Sequence, residues 1–175
     1  MKEASPESTD PASEPGASAI PADLLKHATG WALRFYGALA ANRREVQQAL
    51  LSTLRPSLAD LQQVFISGYA ETALSAYDKL WDRRPAFPIP RPSTVQVQLF
   101  RGAQMASAAS LGLLREVAPA VRPETVWGRV VPPQGPSLDG LVFLPHRVIW
   151  LPHPELFLFG RPSAAHTEAL AHFCD

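Results

Sequence analysis

One cysteine in 175 residues, Cys174, excludes an internal disulfide and any cysteine-rich zinc site. An excess of charge of either sign is also missing. Lysine plus arginine and aspartate plus glutamate both total 16, so no global field draws the chain to nucleic acid or to an acidic membrane. Nor is there a run of about 20 apolar residues free of breakers, as a spanning helix requires. The nearest approach, residues 141–159, is interrupted by Pro145, Arg147, Pro152, Pro154 and Glu155. The first residues lack the basic start and apolar stretch of a secretory signal, so a cytoplasmic location is expected.

Motifs of catalysis are equally sparse. The chain has no phosphate-cradling glycine loop, no His-Glu-x-x-His and no dinucleotide fingerprint. Gly135-Pro136-Ser137-Leu138-Asp139-Gly140 approaches a nucleophile elbow, but its second glycine falls one residue late and apolar strand residues come next instead of a helix. Nothing in the composition or spacing calls for a cofactor.

What the chain does have is apolar material with little charge, 46% hydrophobic against 18% charged residues. That balance lies at the association-prone end of globular domains. Residues 1–20 are the exception. They are rich in serine, proline, alanine and glutamate, and Lys2 stands against Glu3, Glu7, Asp10 and Glu14, which predicts a disordered acidic tail. The rest, residues 21–175, is expected to form a single α+β domain.

From residue 22 the apolar residues fall at helical spacing. Leu24, Leu25, Ala28, Trp31, Ala32, Phe35, Tyr36 and Leu39 form one broad stripe that Val46, Leu50 and Leu54 continue, as one long helix or as two broken near Asn42. Pro56 ends it. Ser57 and Asp60 make a capping box, and Leu58, Leu61, Phe65, Tyr69, Ala73, Tyr77 and Leu80 give the buried face of a second helix to about residue 82. Two amphipathic helices joined this briefly form an antiparallel hairpin. Four prolines in residues 83–92 make a stiff extended strap. Residues 93–117 carry two signals. Val95, Val97 and Leu99 alternate with Gln96 and Gln98 as in a strand, while the longer series through Ala103, Ala106, Ser110, Leu113 and Val117 keeps helical phase. The longer series predicts a third helix, completing a helical part over residues 22–118.

Residues 124–160 read as β. A strand over 125–131 is succeeded by three wholly apolar runs, Leu141–Leu144, Val148–Leu151 and Leu156–Phe159. The reading is an antiparallel sheet of three to four strands, closed by a short helix over 163–173 that Ser163 caps. Strands without polar alternation want both faces dry, whereas antiparallel sheets normally leave one face to water. Something must therefore cover the second face.

That conflict gives the leading expectation: a non-enzymatic interaction subunit or adaptor, burying a sheet face or the aromatic first helix against another protein or its own copy. Trp31, Phe35, Trp150, Phe157 and Phe159 are the candidate contact residues, since buried aromatics dominate interface energetics. The alternative is a small hydrolase-like enzyme using histidines near the carboxyl end as general base or metal ligands, with Glu155 or Glu168 orienting them. His146 and His153 are the metal candidates, each in a Leu-Pro-His repeat. In a meander they fall at opposite ends of the sheet, roughly 16 Å apart at about 3.3 Å per residue, too far to share one ion. A lipid surface meeting Trp31 is the third reading, weakened by the few basic residues on that helix.

Overall fold

The computed structural model describes residues 19–83, 95–131 and 137–158. The acidic tail to residue 18, the proline strap over 83–92 apart from Arg83, and the helix expected over 163–173 lie outside the described residues. The fold is α+β, with helices packed on a four-stranded antiparallel sheet.

The apolar stripe of the first segment breaks where Asn42 intervenes. Helix α1 spans Ala22–Ala41 and α2 spans Arg44–Ser52, with Asn42 in extended conformation between them. Gln47 Nε2 donates to the Leu39 carbonyl (2.7 Å) and ties the second helix to the end of the first. Ala28, Ala32, Phe35, Tyr36 and Leu39 are buried on α1, whereas α2 buries none of its residues. The capping box is formed as expected. Asp60 N donates to Ser57 Oγ, Ser57 N donates to Asp60 Oδ2, and α3 begins at Leu58.

The single second helix is a correction. α3 runs only over Leu58–Val64, and α4 restarts over Tyr69–Asp82 after Gly68 in the left-handed region. Between them Phe65 turns extended and bridges Val121, with Ile66 N donating to Ala120 O and Arg122 N to Val64 O. Helical phase hides this break, because Leu61, Phe65 and Tyr69 stay four residues apart on either side of it.

The third helix is a second correction. Residues Gln96–Arg101 form strand β1, and the chain then continues as 3-10 structure over Gly102–Gln104 and Ala109–Ala120, kinked at Gly112. The short alternation governs: Val95 and Val97 are buried while Gln96 and Gln98 are exposed. β2 (Val126–Val131), β3 (Leu138–Phe143) and β4 (Val148–Trp150) complete the meander in the order β1-β2-β3-β4. The third apolar run is not a strand. It is helix α5 (Pro154–Leu158), which packs on the Ala109–Ala120 segment and on α4. Pro152 and Pro154 bracket the turn that ends the sheet, and proline suits the first position of a helix while it interrupts a ladder.

Register fixes which side chains share a face. Leu141 pairs Trp150 and Phe143 pairs Val148, so these four lie on one face, whereas Trp127 and Val142 lie on the other. On the first face Trp31 of α1 meets Phe143 edge-on (5.7 Å) and Trp81 of α4 meets Trp150 edge-on (6.0 Å). On the second, Phe65 lies against Trp127 at 6.5 Å. Phe100, Trp127, Val142 and Ile149 are all buried there. The chain thus covers both faces of its own sheet. Only toward the start of β1 does the second face turn polar, where Gln96 and Gln98 are exposed and Arg129 pairs with Asp139. Gly140 allows the β3 and β4 ends to close: its φ is +90°, and a Cβ there would collide with the Leu151 carbonyl oxygen.

Candidate functional site

One rung of the sheet builds the floor of a cleft. Arg101 pairs Val126 across β1 and β2, and Phe143 pairs Val148 across β3 and β4. The Trp127–Val142 pair sets Val126 beside Phe143, so the four residues line up across all four strands. Leu24, His27 and Trp31, on one side of α1 at spacings of three and four, stand over this row. The cleft between them, about 1010 Å³, is also bounded by Gln62 and Gln63 of α3, by Arg122 to Thr125, and by the β3–β4 turn at Leu144 to Arg147. Its wall is aromatic and aliphatic. Trp31 stacks on Phe35 at 4.9 Å, which is itself buried, and that contact fixes the indole over Phe143.

The polar end carries arginines held by backbone carbonyls. Arg101 Nη1 donates to Glu124 O (3.1 Å), and Arg122 Nε donates to Gln62 O (2.9 Å). Thr125 Oγ1 donates to Arg122 O (2.7 Å) and accepts from Trp127 Nε1 (3.0 Å), which pins the segment that carries Arg122 to the sheet core. Arg147, at the tip of the β3–β4 turn, is differently employed. Its Nη2 donates to Thr53 O (2.6 Å) and Arg55 O (2.7 Å), and its Nη1 stands 3.4 Å from the buried carboxylate of Asp60. His146 Nε2 approaches the same carboxylate at 3.6 Å. Asp60 therefore serves both as the third-position partner of the N-cap Ser57 in the capping box of α3 and as the counter-charge of the turn.

The residues expected from the sequence are dispersed. Trp31 lines the cleft, half-buried, and Phe35 lies behind it in the core. Trp150 is 0% exposed and donates its Nε1 to Asp139 O (3.1 Å), so in this fold it belongs to the interior and offers no contact surface. The Phe157 side chain and Phe159 lie outside the described residues. His146 and His153 occupy opposite ends of β4, one at the cleft and the other beside Glu155, with His153 Nδ1 and Glu155 Oε1 3.1 Å apart. Among the described residues no three histidine, cysteine, aspartate or glutamate side chains are close enough together to hold a metal ion. No helix among them is long and apolar enough to cross a membrane. Sequence reasoning missed Arg101 and Arg122. The signal was present, since Val97, Leu99 and Arg101 share a face once the segment is read as a strand, but helical phase removed it.

Compared with models of protein families, with curated proteins and with solved structures, the chain matches none.

Proposed function

We propose that the protein is a non-enzymatic interaction subunit that docks another protein, or a second copy of itself, on the outer side of its first two helices. The observation that carries this reading is where large apolar side chains are left in water. Leu25 and Leu33 of α1 are each 42% exposed and Val46 of α2 is 44% exposed, while the other exposed large apolar residues among those described, Ile66 (39%) and Leu113 (48%), lie outside these two helices. Leu25, Thr29 and Leu33 succeed one another at four-residue spacing along a shallow groove flanked by Lys26 and Arg34. This is one ridge, apolar at Leu25 and Leu33, with Lys26, Arg34 and Asp23 on its border, the anatomy of a helix-mediated contact. The sheet, by contrast, has no bare apolar face to offer. A cytoplasmic setting belongs to the same proposal and fits a chain whose single cysteine forms no internal disulfide.

The test is mass in solution by light scattering, with the double variant Leu25→Glu Leu33→Glu beside the parent. Association in the parent, or capture of a defined partner, that disappears in the variant while the fold stays intact is the expected result. A parent that stays monomeric at high concentration and co-purifies with nothing overturns it.

A second reading, a small hydrolase, rests on the His153–Glu155 contact, because a carboxylate on Nδ1 leaves Nε2 as the basic nitrogen. His153 is also the one non-glycine residue with positive φ (47°) among the described residues, a strained backbone of the kind that clusters at functional sites. Replacing His153 by alanine decides between the two readings: loss of an activity without loss of association selects the enzyme.

A further inference from the structure

We infer that the cleft over the Arg101–Val126–Phe143–Val148 rung binds a small amphipathic carboxylate, a molecule with an apolar body and one anionic head. This is independent of the α1–α2 docking surface.

The head is assigned by charge left unspent. Arg55, Arg129 and Arg147 each face a carboxylate at salt-bridge distance, whereas Arg101 and Arg122 have none among the described residues. Each is steered by one bond to a backbone carbonyl. The Arg101 Nε–H is moreover buried and has no hydrogen-bond partner among the described residues. A guanidinium has five N–H donors in a planar fork that matches a carboxylate, and here most of them are unused. Arg147 is excluded from this task, because Thr53 O, Arg55 O and Asp60 already occupy it.

The sum of charges selects the ligand class. In formal charge at pH 7, with Arg147 paired to Asp60 and histidine counted as neutral for His27 and His146, the guanidiniums of Arg101 and Arg122 and the one further carboxylate residue of the lining, Glu124, which pairs with neither, leave a single positive charge. A monoanion fits that balance, and the doubly charged head of a phosphate monoester exceeds it. The apolar body is set by the walls, where Leu24, Trp31, Val126, Phe143 and Val148 leave a volume at the upper end of the range for small-molecule sites. An apolar chain lying along the rung would place its carboxylate at the β1 end, beside Arg101.

Calorimetric titration of the full chain with octanoate and with octan-1-ol reads the head and the body separately. Octanoate should bind about tenfold or more tightly than the alcohol, the value of a charge-assisted hydrogen bond. Arg101→Gln and Arg122→Gln should each reduce that preference, and the double variant should abolish it while leaving octanol affinity unchanged. Arg122 is on the rim, so its variant folds even if the Arg101 change proves disruptive. Equal affinity for acid and alcohol, no heat with either, or a preference that Arg122→Gln leaves undiminished overturns the assignment. The Leu25→Glu Leu33→Glu variant should keep octanoate binding, which separates this outcome from that of the docking surface.

Discussion

The sheet and the first two helices dispose of apolar side chains in opposite ways. In β2 to β4 both faces are sealed, and the indole N–H groups of Trp127 and Trp150 find acceptors inside the chain, at Thr125 Oγ1 and Asp139 O. On α2 nothing is buried, and Val46 stays nearly half exposed. The apolar runs that form β3 and β4 are thus the least available for contact. A run of apolar residues says that its surroundings must be dry, but the chain's own layers can supply those surroundings. The mark of a docking surface is the apolar material left over once those layers are in place, and here three of the five exposed large apolar residues among those described, Leu25, Leu33 and Val46, lie on α1 and α2.

The contrast can be broken most forcefully at Trp150. Its ring is sealed between Leu141 and Trp81, so Trp150→Ala should cost about 3–5 kcal/mol through lost burial and an unfilled cavity, read as a lower midpoint in denaturant. A variant that keeps its midpoint and loses association instead would make the sheet the docking face and invert the comparison.

Arg147 joins the two regions, and its loss sharpens the contrast. Arg147→Ala removes donors from Thr53 O and Arg55 O and leaves Asp60 with a weaker counter-charge, at an expected cost of about 2 kcal/mol. Hydrogen exchange should locate the damage. Amides of α2 should open first while those paired between β2 and β3 keep their protection, since the sheet ladder does not run through Arg147. Uniform loss of protection would show that the two regions unfold as one unit.

How much of the molecule is legible in its sequence depends on whether the signal is local. The Ser57–Asp60 capping box and the strand over 125–131 each rest on a few neighbouring residues and form as expected, the break near Asn42 is the second of the two alternatives the stripe left open, and the helix before Pro56 stops already at Ser52. Two of the misreadings need a distant partner. Phe65 leaves its helix because Val121 is there to bridge it, and residues 96–101 become a strand because β2 offers an edge. Leu156-Phe157-Leu158 is apolar on every side, so periodicity gives no ground to tell a strand from the helix that Pro154 starts. Trp31 is legible as a contact residue and does line the cleft, but its companions Arg101 and Arg122 become visible only with the strand.

Tyr77 tests the interior from α4. Its hydroxyl donates to Pro152 O (3.2 Å), and burial first, then the nearby Glu155 carboxylate, raises its pKa well above the ordinary value. Burial raises that of Tyr36 as well. A folded-state pKa above the unfolded one means that the native chain holds protons which the unfolded chain sheds. Stability is therefore whole below about pH 10 and falls as pH rises beyond it. Tyr77→Phe should cost about 1 kcal/mol at neutral pH and lose less stability than the parent between about pH 10 and 11. Parallel curves for parent and variant would mean that the phenol is reached by water in the native state.

The smallest effect on stability is expected at Val46, and it is the most telling because the same residue type occurs at Val142 with no exposure at all. Val142→Ala should cost about 2 kcal/mol, since both the transfer term and a residual cavity count against it. Val46→Ala should stay within about 0.5 kcal/mol, and so should Val46→Glu, because α2 gains little from a side chain already in water. If a partner or second copy covers α2, Val46→Glu places a charge in a drying contact and association falls while the monomer's midpoint stays where it was. If neither association nor stability responds, Val46 is ordinary exposed apolar surface, and the docking surface contracts to the Leu25–Leu33 ridge of α1.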